Sequence, residues 1–405
     1  MTACKGLTIE NSVNISVENE PQAASGAKLR IALFSGNYNY VVDGPVKALN
    51  TLVGFLEEEG HEVLIFAPTI KQPAFEHTGT LISAPSIAIP GRGEYRFSLG
   101  MSGSVRKRLD DFEPDLIHLS APDLLGYTAL RYAQKRIIPA VASFHTRFDT
   151  YPRYYGAKWL EKYLTAYMRH FYARCEHVYP PSQSMADELR EDGIGRDIRL
   201  WARGVDSELF NPDKRDLVWR RSLGFADDDT VVVFVGRLVL EKGLDVFVET
   251  VSRVNGVKAL IVGEGPERAR FEAAIPDAHF TGYLNGEELA RAYATADIFF
   301  NPSITETFGN VTLEAMACAT TPLCAKAAGS TSLVEHEVTG LLAQPTSSDF
   351  QIALARLKKD ANYRLALGNA ARKRSLDFSW RTILLNLLDN YFEAVAAYKS
   401  THKAS

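Results

Sequence analysis

The sequence predicts two α/β domains, each a parallel sheet covered by helices on both faces, meeting across a ligand-binding cleft. Two observations predict it. Strand-length apolar runs alternate with segments of helical apolar spacing along nearly the whole chain. Two of those runs, Val231 to Val235 and Asp297 to Asn301, also end in turns suited to a ligand carrying phosphates and hydroxyls. Ligands of doubly wound sheets bind beyond the carboxyl ends of the strands, where such turns lie.

In the first half, strands are expected at Leu29 to Ser35, Glu62 to Ala67, Asp115 to Ser120, Pro139 to Phe144 and His177 to Tyr179. A helix over Pro45 to Glu59 follows the first strand, and another over Ser182 to Glu191 opens on a Ser cap. The non-repetitive stretch Ser207 to Asp229, with FNPDKRD, is expected to be a hinge. In the second half, strands are expected at Thr230 to Gly236, Lys258 to Val262, His279 to Thr281, Asp297 to Asn301 and Pro322 to Ala325. Phe378 to Tyr398 has helical spacing. The expected boundaries are a first Rossmann-like domain at 29–206, a hinge at 207–229, a ligand-binding domain at 230–377 and a terminal helix at 378–400. Residues 1–28 are polar, have no signal-peptide core and are expected to be disordered.

The stretch TETFGNVTLE sets Glu306 and Glu314 eight residues apart around a small-residue turn that opens a helix. The unpaired amides of Phe308, Gly309 and Asn310 would point out of the helix N-terminus, where the helix dipole also attracts a diphosphate. Acidic residues near a helix start also occur simply to complement that dipole. A second element, VGRLVLEKG, strengthens the ligand reading. Its strand runs into Gly236 and Arg237 and then Lys242, so a donor fork and a point charge make a second phosphate clamp. A nucleotide sugar suits both elements.

With these residues the chain resembles the retaining GT-B glycosyltransferases of family 4, from about Leu29 to Tyr398. The matching strings are GRLVLEKG at Gly236 to Gly243, VGEGP at Val262 to Pro266, TGYLNGEEL at Thr281 to Leu289, and Glu306 with Glu314. RLWARGVDSELFNP, Arg199 to Pro212, is most similar to the branch holding sulfoquinovosyl diacylglycerol synthases and lipid mannosyl- and glucosyltransferases.

The resemblance implies two Rossmann-like domains and a terminal helix that crosses back to the first. It implies that Glu314 holds the ribose hydroxyls, Glu306 the hydroxyls of the transferred sugar, and Arg237 with Lys242 the diphosphate. His145, after the Pro139 to Phe144 strand, would line the donor sugar; by itself a lone His there also suits a structural role. Gly44, in YVVDGP, would let the backbone approach a phosphate or the acceptor, although the family often has two glycines here and this chain has Asp43. No Ser/His/Asp order or G-x-S-x-G elbow supplies a nucleophile. This agrees with the implied front-face mechanism, in which the leaving phosphate takes the acceptor's proton.

Composition suits a large enzyme: 405 residues, 46% hydrophobic, with a formal net charge of −4 that disfavours wholesale nucleic-acid binding. Apolar runs fall well short of the roughly 20 residues of a membrane span. Cys4, Cys175, Cys318 and Cys324 show no paired spacing, and the inner three read as structural thiols of a reducing compartment. His170, Cys175 and His177 lack metal-ligand spacing, while Asp110–Asp111 and Asp227–Asp229 read as solvated turns. No metal or other cofactor is expected.

The segment Arg153 to Arg174 interleaves Arg153, Lys158, Lys162, Arg169 and Arg174 with seven aromatics against a single acid, Glu161. Such a helix suits anionic lipid headgroups, and Arg106 to Arg108 would extend the patch; core aromatics beneath a solvated face would give the same pattern. The expected function is transfer of a sugar from a nucleotide donor to a membrane lipid such as diacylglycerol, on the cytoplasmic face. Polysaccharide or oligosaccharide mannosyl- or glucosyltransfer is the alternative within the class. An epimerase would need acid and base residues that are not found, and a non-catalytic sugar-nucleotide sensor would not need all four of Arg237, Lys242, Glu306 and Glu314.

Overall fold

The computed structural model describes residues 27–41, 43–89, 92–145, 147, 158–306 and 308–402. The expected extension therefore lies outside the described residues, save Lys28 and the residue before it. The first domain holds strands β1 (Arg30–Phe34), β2 (Glu62–Ala67), β3 (Thr80–Ser83), β4 (Ser86–Ile89), β5 (Arg92–Ser98), β6 (Leu116–Leu119), β7 (Ala140–Ser143) and β8 (Val178–Tyr179). Six of them form one sheet in the order β3-β2-β1-β6-β7-β8, and β4 and β5 pair as an antiparallel hairpin outside it. The second domain holds β9 (Thr230–Val235), β10 (Val257–Val262), β11 (His279–Gly282), β12 (Ile298–Asn301), β13 (Thr321–Ala325) and β14 (Leu341–Ala343), in the order β11-β10-β9-β12-β13-β14.

Both large sheets are parallel and share one topology, with the strand order reversing beside β1 in the first and β9 in the second. Crossover helices cover both faces, so the strands read as continuous apolar runs: β1, β7, β9 and β12 are almost wholly buried. The loops after β1 and β9 therefore open at the two switch points. Each expected strand is present. The additional ones, β3, β14 and the hairpin, are short or edge segments with weak apolar patterns.

The terminal helix, Trp380–His402, buries Leu384, Leu387, Leu388, Tyr391, Ala394 and Val395, a single stripe of period 3.6. That stripe packs with Leu29, Ile31, Leu33 and the helix Gly44–Glu58 of the first domain, so the helix does cross back. The expected hinge at 207–229 is corrected. It carries a helix, Leu217–Ser222, whose fully buried Arg220 reaches Asp297 at 3.2 Å, and its Phe210 and Phe225 join the second core. The crossings between domains lie instead where Val205 bridges Ser379, with a Gly204 Cβ position only 2.5 Å from the Trp380 side chain.

Candidate active site

Between the domains is a cavity of about 690 Å³. Tyr40, Val41, Asp43, Gly44, Pro45, Ala74, His145, Pro181 and Arg203 line it from the first domain. Val235, Gly236, Arg237, Lys242, Glu306, Phe308, Gly309, Asn310 and Val311 line it from the second. The domains also touch directly, Ser184 Oγ donating to the Ala328 carbonyl at 3.0 Å.

On the second domain, β12 feeds a loop into the helix Asn310–Ala317. Gly309 caps that helix at φ +93°, a backbone conformation that excludes most side chains. The amides of Phe308, Gly309 and Asn310 have no acceptor among the described residues, since the helix's own bonds begin at Thr312 and Leu313. Unpaired amides at a helix start are what the anion seat expected from the sequence requires. Arg237, after β9, is exposed at the cavity wall and has no ion-pair partner among the described residues. Lys242 differs: its Nζ lies 2.6 Å from Glu306 Oε1, both side chains part-buried. The diphosphate cation and the sugar carboxylate of the sequence reading thus neutralise one another across the site.

On the first domain, Asp43 caps the helix Gly44–Glu58 by accepting from the Val46 amide at 2.8 Å. This accounts for an Asp where a second glycine was expected. A Cβ on Gly44 would lie 3.2 Å from Asn310 Nδ2, so glycine here lets the two helix starts approach across the cleft. His145 follows β7 and receives a 2.8 Å bond at Nδ1 from Arg203 Nη2, while its Nε2 is buried without a partner. Burial first, then the fields of Arg203 and His118, hold the imidazole well below its usual pKa, so the ring is neutral.

The first domain and connector match the model of Glycosyltransferase Family 4 over residues 42–209, and the second that of Glycosyl transferases group 1 over residues 216–374. A GDP-mannose-dependent alpha-mannosyltransferase of Mycobacterium tuberculosis (strain CDC 1551 / Oshkosh) is 33% identical over 93% of this chain and 99% of its own. The chain belongs to glycosyltransferase family 4. It is a hexosyltransferase of GT-B architecture. Sulfoquinovosyl transferase SQD2 of Arabidopsis thaliana is 29% identical, over 93% of this chain and 75% of that protein. An alpha-monoglucosyldiacylglycerol synthase of Acholeplasma laidlawii is 26% identical, over 72% of this chain and 79% of that protein.

In this glycosyltransferase Glu314 stands apart from the other predicted site residues. It is one turn along from Asn310, does not line the cavity, and accepts from Tyr293 Oη at 3.0 Å. Burial pushes its carboxyl from 4.5 up to about 7, against the opposing Tyr293 bond and the field of Lys47. The folded chain therefore holds a proton on Glu314 between pH 4.5 and about 7 that the unfolded chain has released. Stability falls as pH rises through that window, by about 3 kcal/mol in all. Glu314→Gln should thus raise the unfolding temperature at pH 8 and lose that gain near pH 4.5, measured by thermal melts at the two pH values. An unchanged melt at pH 8 would contradict the buried-carboxyl reading.

Arg203 and Pro181 line the cleft but were not predicted to. Arg203 lies inside the RLWARGVD string, whose unusual lead-in was the available signal. The aromatic segment divides. Phe171 and Tyr172 are core, and Tyr167 donates to the Pro122 carbonyl at 2.8 Å. Trp159 is 67% and Tyr163 58% exposed, with Lys162 Nζ 4.9 Å from the Tyr163 ring centre. Arg169 and Arg174 each donate at 2.5 Å to backbone carbonyls, those of Asp192 and His170. Lys158 opens a 3-10 turn, Lys158–Leu160, and Arg153 lies outside the described residues.

No group of three or more His, Cys, Asp or Glu residues is arranged to hold a metal among the described residues. Cys175, Cys318 and Cys324 are free and buried. No helix among the described residues is long and apolar enough to cross a membrane.

Proposed function

We propose that this enzyme transfers a hexose from a nucleotide-sugar donor, with retention, to a diacylglycerol-like membrane lipid. The observation that carries the donor half is the convergence of Arg237, Lys242 and three acceptor-free amides on one cavity with Glu306 and the unpartnered Nε2 of His145. The cations and amides take the diphosphate, and Glu306 and His145 take sugar hydroxyls, one as acceptor and one as donor. Both carboxylates lining the cavity are already engaged, Glu306 by Lys242 and Asp43 by the Val46 amide. This wall fits the front-face mechanism that the family resemblance implies, in which the acceptor hydroxyl attacks C1 on the face the phosphate leaves and passes its proton to the departing phosphate oxygen. The C1–O bond to phosphate breaks as the new glycosidic bond forms, and configuration is kept.

The acceptor half is supported by a surface on the first domain. The loop after β6 leads to Leu124, and Gly100 packs against Leu124 and Thr128, which places the β4–β5 hairpin beside it. Phe97 and Leu99 there are half exposed. Tyr163 and Trp159 stand one and two turns before Tyr167, the residue bonded to Pro122, and Arg106, Lys107 and Arg108 are exposed on the helix Gly103–Phe112 just after the hairpin. Apolar side chains ringed by cations suit an anionic membrane surface. The name of the glucosyldiacylglycerol relative agrees with this acceptor.

Turnover of a panel of radiolabelled nucleotide sugars, with and without vesicles containing diacylglycerol, tests the proposal. Labelled lipid supports it; label appearing only in soluble saccharide sinks the lipid acceptor. Activity should also survive excess chelator, because cations of the chain neutralise the diphosphate, and an absolute need for magnesium or manganese would overturn that assignment. Glu306→Gln should chiefly lower turnover, whereas Glu314→Gln, at a carboxyl that does not line the cavity, should leave nucleoside diphosphate binding near that of the unsubstituted protein. Equal loss of diphosphate affinity in both variants would reject the division of roles.

A further inference from the structure

Arg203 is a guanidinium only 4% exposed, on the cavity wall, with no acidic partner among the described residues. Its Nη1 donates to the Trp201 carbonyl at 2.8 Å and, at 3.4 Å, to that of Ala202. Its Nη2 donates to His145 Nδ1 at 2.8 Å, and its plane lies 4.6 Å from the Trp201 ring centre. Trp201 is itself fixed. The His118 ring meets it edge-on at 5.7 Å, and both nitrogens of His118 are bonded, to Tyr391 of the terminal helix and to Ser143 at the end of β7.

An arginine side chain has donors only. His145 Nδ1 must accept, so the proton of the neutral ring sits on Nε2, the buried atom without a partner. We propose that Arg203 is a positioning residue which locks His145 in the Nε2-protonated tautomer and so makes it a fixed hydrogen-bond donor to the transferred sugar. This rests on the sugar-facing reading of His145 given above. The consequence is specific: Nε2–H can read only a lone pair, so a donor sugar lacking the facing hydroxyl leaves a buried N–H unsatisfied and is discriminated against. The buried cation also keeps a second positive charge off the imidazole, so His145 donates without titrating.

The test has two arms. In the full-length protein labelled with ¹⁵N-histidine, long-range ¹H–¹⁵N correlation should show His145, assigned through His145→Gln, protonated at Nε2. Arg203→Met should shift its ring nitrogens toward tautomer exchange, and Arg203→Lys should restore the original pattern in part. A wild-type His145 protonated at Nδ1 overturns the proposal whether or not the enzyme transfers sugar. In the kinetic arm, with GDP-mannose and UDP-glucose as donors, Arg203→Met should lower kcat by up to ~10²-fold while GDP and UDP affinities stay unchanged. Adding Arg203→Met to His145→Ala should cause no further loss. Additive losses in the double variant would show that Arg203 acts independently of His145 and would overturn the lock. Absence of turnover by the unsubstituted protein with an Nε2-protonated ring would instead count against the donor reading of the site, while the tautomer lock stands on the first arm.

Discussion

Arg237→Ala should lower kcat by about 10²–10³-fold, the loss expected when one preorganised charge is removed from a developing anion. Among the clustered groups, Arg237 is the cation with no partner to displace: it is exposed at the wall beside Gly236, whereas Lys242 is held 2.6 Å from Glu306. A donor diphosphate must share Lys242 with Glu306, but meets Arg237 free. Because the charge on the leaving diphosphate grows as the glycosidic bond breaks, the loss belongs mainly to turnover, and binding of the nucleoside monophosphate should be untouched. Arg237→Lys should recover only part of the rate, since a point charge cannot form the bidentate fork. Single-turnover measurement with radiolabelled donor separates the chemical step from release. A kcat within tenfold of wild type would remove Arg237 from the diphosphate.

The Lys242–Glu306 pair makes the two single variants at that contact unequal in a different way. Lys242→Ala leaves a part-buried carboxylate unpaired beside the incoming phosphates, so repulsion adds to the loss of attraction. Glu306→Gln instead releases Lys242 toward the diphosphate, which should soften any loss of nucleotide affinity while the sugar contact is weakened.

The second-domain wall of the site was legible in the sequence because its parts are local. Gly236, Arg237 and Lys242 lie within one strand-to-helix turn, and Glu306 with the Phe308 to Asn310 amides within another. What was not legible depends on distance along the chain. Arg203 meets His145 across 58 residues, and Tyr391 meets His118 across 273, contacts that exist only once β7 and the terminal helix are in place. The hinge was misplaced because FNPDKRD is polar in sequence, while Arg220, nine residues on from Asn211, buries its charge on Asp297 of the second domain. The aromatic run from Tyr163 to Tyr172 could not be divided by composition. Helix rotation divides it, with Phe171 and Tyr172 facing the core and Tyr163 facing out.

Replacing Arg106, Lys107 and Lys162 together with glutamine should weaken binding to anionic vesicles by about 3 kcal/mol, roughly 150-fold, at about 1 kcal/mol for each cation near the surface. These three are chosen because they are exposed and flank the apolar side chains of the hairpin and of the segment at Trp159, whereas Arg169 and Arg174 donate to backbone carbonyls. Exposed charges act within a Debye length of about 8 Å at physiological salt, so raising the salt should reproduce the loss in the unsubstituted protein. Phe97→Ser with Trp159→Ser should weaken binding to neutral vesicles as well, because the apolar contribution is indifferent to salt. Folding and nucleotide affinity should be unchanged in both variants, since these positions are exposed and none of them lines the cavity. Co-sedimentation with anionic and neutral vesicles over a salt series measures all of this. If the triple variant binds anionic vesicles as well as the unsubstituted protein does, this face is not the membrane surface, and the acceptor is a soluble or polysaccharide one.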